Sequence, residues 1–287
     1  MARRYLIIVA LLAASALAAP TGAGAAPGDP PRLGMVCTTG PEFHLTAAGG
    51  DVETPDGNSV FMWSYQVTGG HFQSPGPVLC VNQGDTVTIH LHNTLPEPVS
   101  IVFPGQEGVT ATGAAGPLTG EAPPGGDATY TFVAGRPGTY TYESGSDLAK
   151  QVEMGLYGAL VVRPAGHPDQ AYGAGTGFDP AREYLILLGE IDPDLHHAVE
   201  TGGGYDATTR HSRYFTVNGR AFPDTIQDNG VPWLPNQPYG ALVKVRPYDP
   251  VTNPLPALIR MVNAGSQNHP FPRTATTCAR WPRTAGY

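Results

Sequence analysis

The chain has 287 residues, with 37 glycines, 30 prolines, 14% charged residues and 9% aromatics. That mix excludes a helical bundle and a disordered chain; it fits many short strands joined by Gly/Pro turns, with length enough for two domains. The formal net charge of −8 disfavours nucleic acid as a partner, because an acidic surface repels a polyanion.

Residues 1–19, "MARRYLIIVALLAASALAA", place Arg3 and Arg4 before an apolar run from Tyr5 to about Ala14, and Ala16-Leu17-Ala18 follows as an A-x-A site. This is the pattern of a secretory signal peptide, so residues 1–26 are read as the signal peptide and the start of a linker. The run is too short to span a bilayer comfortably. Loss of the two positive charges of Arg3 and Arg4 takes the formal charge from −8 to −10, and no second spanning run follows in the sequence. The expected location is secreted or extracytoplasmic, with no membrane span after cleavage. An Ala/Gly/Pro linker occupies 19–35, "APTGAGAAPGDPPRLGM". Cys37 in "GMVCTTG" and Cys80 in "PVLCVNQG" lie in strand-like surroundings. In an oxidising compartment they read as a disulfide, and Cys278 is left over.

Strand patterns then arrive at short intervals: 59–67, 77–82, 85–93, 99–104, 128–134, 138–144 and 157–164. Each is closed by turn chemistry such as "NQGD" or "GRPG". Thr86, Thr88, His90 and His92 alternate with Val87, Ile89 and Leu91, which is the period of a half-buried strand. Residues 36–165 are expected to form a two-sheet sandwich or barrel. A second unit, 180–287, follows the Gly-rich joint "AYGAGTGFDP". Its expected strands are "REYLILLGEI", "RYFTVNGR", "GALVKVRP" and "ALIRMVNAG". They amount to half a sandwich, which would leave open strand edges and an exposed apolar face.

Several stretches together resemble the multicopper oxidase family. "PGPVLCVNQGDTVTIHLHNTLPEPVSI", "PGTYTYES" and "MGLYGALVVRP" are similar to its first cupredoxin domain, and "RYFTVNGRAFPDT" and "RMVNAGSQNHPF" to its second. The resemblance implies an all-β fold of cupredoxin-like Greek-key sandwiches or barrels, one complete and a second truncated. It also implies copper as cofactor and oxidation of a small-molecule reductant coupled to dioxygen reduction. In the family the first domain supplies two His-x-His pairs to a trinuclear cluster, since period 2 puts both rings on one strand face. Here Val102 and Pro104 stand at the first pair's positions, and Glu143 and Gly145 at the second's. His269 in "NHPF" matches the family's type 1 copper position.

His90 and His92 lie one strand before the family's ligand position. They read as polar residues on a solvent face rather than as a metal pair. His196 and His197 are adjacent, so their side chains diverge, and they read as surface residues. No residue of this chain is assigned a catalytic role. The alternative to a copper oxidase is a metal-free extracytoplasmic cupredoxin scaffold or binding module.

After Pro272 the composition changes: three arginines, no acidic residue and no alternation. With suitable third bases, residues 273–281 read one base out of frame give "PHGNDLRAV", and after "NHPF" plus one restored His this makes "NHPFHPHGNDLRAV", the family pattern. Residues 272–287 are therefore read as a frameshift tail, and the other reading is a genuine short C-terminus of solvated coil.

Overall fold

The computed structural model describes residues 33–270; the signal segment, most of the linker, Cys278 and the rest of the tail from 271 lie outside the described residues. The strands are β1 (Cys37–Thr39), β2 (Glu42–Glu53), β3 (Ser59–Val67), β4 (Val78–Asn82), β5 (Thr86–Asn93), β6 (Thr110–Ala111), β7 (Ala114–Ala115), β8 (Gly120–Glu121), β9 (Asp127–Val133), β10 (Gly138–Glu143), β11 (Tyr157–Arg163), β12 (Glu183–Ile191), β13 (Tyr214–Val217), β14 (Arg220–Ala221) and β15 (Leu258–Asn263). Two short helices, α1 (Leu148–Gln151) and α2 (Pro193–Thr201), lie between them.

The first unit is a sandwich of a five-stranded sheet, β3-β2-β5-β9-β6, and a four-stranded sheet, β1-β4-β11-β10. Period 2 decides which side chains meet. Leu45, Val87, Ile89, Leu91, Tyr130 and Phe132 of one sheet pack against Leu79, Val81, Tyr142, Leu160 and Val162 of the other. Each such side chain contributes about 1.5–3 kcal/mol relative to leaving it in water. The alternate residues of β5, Thr88, His90 and His92, face outward and are half-buried, as the alternation requires. The stretch 99–104, expected as a strand, forms only two isolated bridges, Val99 with Ala122 and Val102 with Glu143.

The second sheet runs β14-β13-β12-β15. One of its two faces is covered by the first unit. Leu185 and Leu187 of β12 and Val262 of β15 pack on Val78, Cys80, Tyr157, Ala159 and Val161. The sheet containing β4 and β11 is thus buried on both faces. That is why "VLCV" and "GALVV" are continuous apolar runs rather than alternating ones. The far face of the second sheet does keep Phe215, Ile259 and Met261 exposed. "GALVKVRP" forms no strand. Both edges of β12 are already paired, by β13 and by β15, so 240–247 has no ladder to join there.

A buried ion cluster fastens the two units. Glu183 of β12 accepts from Arg260 Nε of β15 at 2.7 Å and from Arg163 Nη2 of β11 at 2.7 Å. Cys37 and Cys80 form a disulfide with Cα atoms 5.6 Å apart, which ties β1 to its parallel neighbour β4.

Candidate copper positions

Val102 and Glu143 lie directly opposite each other on the inner connection of the first sandwich. Val102 N donates to Glu143 O at 2.8 Å and Glu143 N donates to Val102 O at 3.1 Å. The backbone therefore brings together the two segments that the resemblance assigns to paired imidazoles. The side chains are another matter. Val and Pro offer no donor atom, and Gly145 has no side chain. A Cβ built on Gly145 would sit 2.5 Å from Val102 Cγ1 and 3.1 Å from Ser100 Oγ, so Val102 occupies the space that a side chain at 145 would need. Glu143 is the single metal-binding type among the four, and burial pushes its carboxyl above the ordinary carboxylate range. One carboxylate beside aliphatic groups does not fit a site built from imidazoles. The four side chains do not fit a trinuclear copper cluster.

His269 is placed by the turn after β15. Its Nε2 lies 2.8 Å from Glu190 Oε1 of β12. The same carboxylate accepts from Gln267 N and Ser266 N, each at 3.0 Å. The Glu190 side chain is fully buried, and that of His269 is 17% exposed. Gly265 permits the approach, because a Cβ there would collide with the Glu190 carboxylate. Phe215 closes the side with its ring centroid 6.1 Å from the imidazole. Thus one of the two ring nitrogens open to a metal, Nε2, is already engaged by a buried carboxyl group.

Behind Glu190 lies a polar core. Arg210 pairs with Glu153 and reaches within 4.0 Å of Glu190 Oε2. Burial pushes the Glu153 carboxyl up, and Arg210 pulls against that shift. Asp192 caps α2 by accepting from Asp194 N and also holds His211 N and the Tyr205 hydroxyl. Burial opposes its ionised form, but those hydrogen bonds prevail and its pKa falls below the usual value.

His196 is not the surface residue expected. It is fully buried on α2, with Nδ1 2.6 Å from Phe61 O and Nε2 3.1 Å from Glu153 O. Successive residues of a helix point about 100° apart, so His197 remains exposed while His196 enters the seam against β3. His90 and His92 do not pair with each other: His92 Nδ1 meets Asp127 Oδ1 at 2.8 Å, and the His90 ring stacks on His44 of β2. Sequence reasoning missed Glu190. Its signal was available: an acidic residue inside the apolar run "YLILLGEI" is buried only with a partner.

A family model described as "Multicopper oxidase" matches residues 58–167. Laccase-8 of Oryza sativa subsp. japonica is 31% identical over 199 residues, covering 67% of this chain and 32% of that protein. A copper resistance protein A homolog of Pseudomonas syringae pv. tomato is 30% identical over 211 residues, covering 71% of this chain and 30% of its own length. The chain spans about a third of the length of these curated relatives. Among solved structures, the blue copper oxidase from Nitrosomonas europaea shares the fold, with TM-score 0.54 and 20% identity over 78% of this chain and 61% of that one.

Proposed function

The chain belongs to the multicopper oxidase family, and from that premise we propose that it is an exported cupredoxin-fold protein whose first sandwich holds no cluster copper. As this chain, it does not oxidise a small reductant. One observation carries the reading: the Val102–Glu143 bridge, with the space at Gly145 filled by Val102. Export is supported by the N-terminal pattern with Arg3, Arg4 and Ala16-Leu17-Ala18 and by the Cys37–Cys80 disulfide, a bond that persists in oxidising compartments. Among the described residues no helix is long and apolar enough to cross a membrane.

Copper binding and oxidation of a small-molecule reductant are the family's activity, and His269 favours that second reading because it keeps the type 1 position. Its imidazole meets Glu190 rather than a set of converging donors, which is why we place the scaffold reading first. An oxygen electrode separates the two. The purified chain, incubated with copper and a phenolic reductant, is expected to take up no oxygen above a copper-only control. Copper-dependent uptake that saturates with reductant would overturn the proposal.

A further inference from the structure

On the outer face of the five-stranded sheet, we propose that Glu42, His44 and His90 form a surface site for one divalent late first-row transition-metal ion of the zinc–copper class. The site uses none of the positions that the family assigns to copper, so it stands or falls independently of the reading above.

Strand register brings the two imidazoles together. β2 and β5 run parallel, with His44 directly beside His90. Phe43, Leu45, Ile89 and Leu91 alternate into the core, which fixes His44 and His90 on the opposite face. Glu42 precedes His44 by two residues and shares that face. The rings stack with centroids 4.7 Å apart and planes 13° from parallel. His90 Nε2 lies 3.3 Å and His44 Nε2 3.5 Å from the same oxygen, Glu42 Oε1. All three donor atoms lie within 4.8 Å of one another.

Those separations suit a metal. Ligand atoms each about 2.0–2.1 Å from a tetrahedral zinc ion stand about 3.3–3.4 Å apart. Two of the three edges are at or near that length already; the third is no longer than 4.8 Å, and closing it requires the two stacked rings to tilt toward each other. Orientation is supplied from the next strand. His90 Nδ1 lies 3.2 Å from Thr129 Oγ1 of β9, its register partner. A threonine hydroxyl can accept from Nδ1–H, and in that tautomer Nε2 carries the lone pair free for a metal, the kind of second contact that orients a ligating histidine. Two imidazoles and one carboxylate select zinc, copper or nickel over calcium and magnesium, which require oxygen donors. The fourth coordination position faces solvent, since Glu42 and His44 are exposed.

The test is a calorimetric Zn²⁺ titration of the full chain, with Co²⁺ absorption as a second readout of coordination geometry. One saturable equivalent of Zn²⁺ is expected in the wild type, in His92→Ala and in His269→Ala. It should disappear in His44→Ala and in His90→Ala, both exposed enough to leave the far-ultraviolet dichroism unchanged. Thr129→Val is expected to weaken binding about 10-fold or more, as loss of an orienting partner does. Tetrahedral Co²⁺ bands should appear in the wild type and be absent from His90→Ala. Absence of saturable Zn²⁺ binding in the wild type, or equal binding in the wild type and both ligand variants, would overturn the proposal.

Discussion

His269 Nε2 donates to Glu190 Oε1 at 2.8 Å, a contact that joins the turn after β15 to the buried carboxylate of β12. Glu190 also gathers two backbone N–H groups of that turn. It therefore acts as the fastening of the segment 265–269. Removing it leaves two N–H donors and the His269 Nε2 without their acceptor, and takes a carboxyl group from beside Arg210, which keeps Glu153. Glu190→Ala is expected to lower the unfolding free energy by about 3–5 kcal/mol, the range for breaking a buried pair from one side. His269→Ala should cost only about 1 kcal/mol, the net worth of one hydrogen bond. Urea denaturation of the three proteins checks the ordering. Copper titration of the wild type should give no intense red absorption. A strong band that vanishes in His269→Ala would mean that His269 ligates copper.

The Cys37–Cys80 bond closes a 43-residue separation and holds a three-residue strand in register. In the chain-entropy model, a loop of that length stabilises by about 4 kcal/mol. Non-reducing peptide mapping should recover the linked pair. Reduction, or the double substitution Cys37→Ser with Cys80→Ala, should lower the denaturation midpoint accordingly. Cys80 packs in the seam between the sheets, so Cys80→Ala carries a small added packing loss. An unchanged midpoint on reduction would show that β1 contributes no constraint.

His196 yields a pH dependence. Burial lowers its pKa below 6.5; the carbonyls of Phe61 and Glu153, and then the charge of Asp192, pull it back only in part. The folded state thus binds its proton less readily than the unfolded chain. Stability is fully present above pH 6.5 and is lost as pH falls from there toward the lower folded value, where the unfolded state binds more protons. The slope cannot exceed about 1.4 kcal/mol per pH unit for one group. His196→Gln, which keeps a donor and removes the titration, should flatten the curve below pH 6.5. Asp192 adds a further loss at lower pH, as its depressed carboxyl is protonated.

Strands with clean alternation were legible in the sequence: "DTVTIHLHN" supplies Val87, Ile89 and Leu91 to the core, and its polar residues face out. β2 was not legible. Gly49 and Gly50 interrupt its pattern because a Cβ at either would press on Phe61 or Phe72, so tertiary packing erased the local signal. The helix α2 was missed although its signals are present. Asp192 caps it, Pro193 sits at its first position and Gly202 ends it with φ 69°. Chain order hid the rest. The Glu190–His269 contact spans 79 residues, and the His44–His90 stack depends on a parallel pairing that alternation alone does not specify. The four replaced family positions, by contrast, could be read directly, since residue type alone excludes imidazole at Val102, Pro104, Glu143 and Gly145.

Val102 and Gly145 should be energetically coupled. Gly145 is buried, and a Cβ there would meet Val102 Cγ1 at 2.5 Å, Ser100 Oγ at 3.1 Å and Leu118 Cβ at 3.6 Å. Ser100 is itself held, since Ser146 Oγ donates to its hydroxyl at 3.0 Å. Gly145→Ala is therefore expected to destabilise by about 1–3 kcal/mol through overpacking. Val102→Ala, at a half-buried site, should cost about 1 kcal/mol. In the double variant the new methyl takes the space of the removed branch, so the losses should fall short of their sum by about 1–2 kcal/mol. Equilibrium urea denaturation of the four proteins measures that coupling. If the two losses simply add, the segment 143–146 moves aside and Val102 is not what fills the space. With the coupling present, a histidine at 145 alone would be more disruptive than alanine. Reinstating a metal ligand on one segment would then require reducing the side chain on the other first.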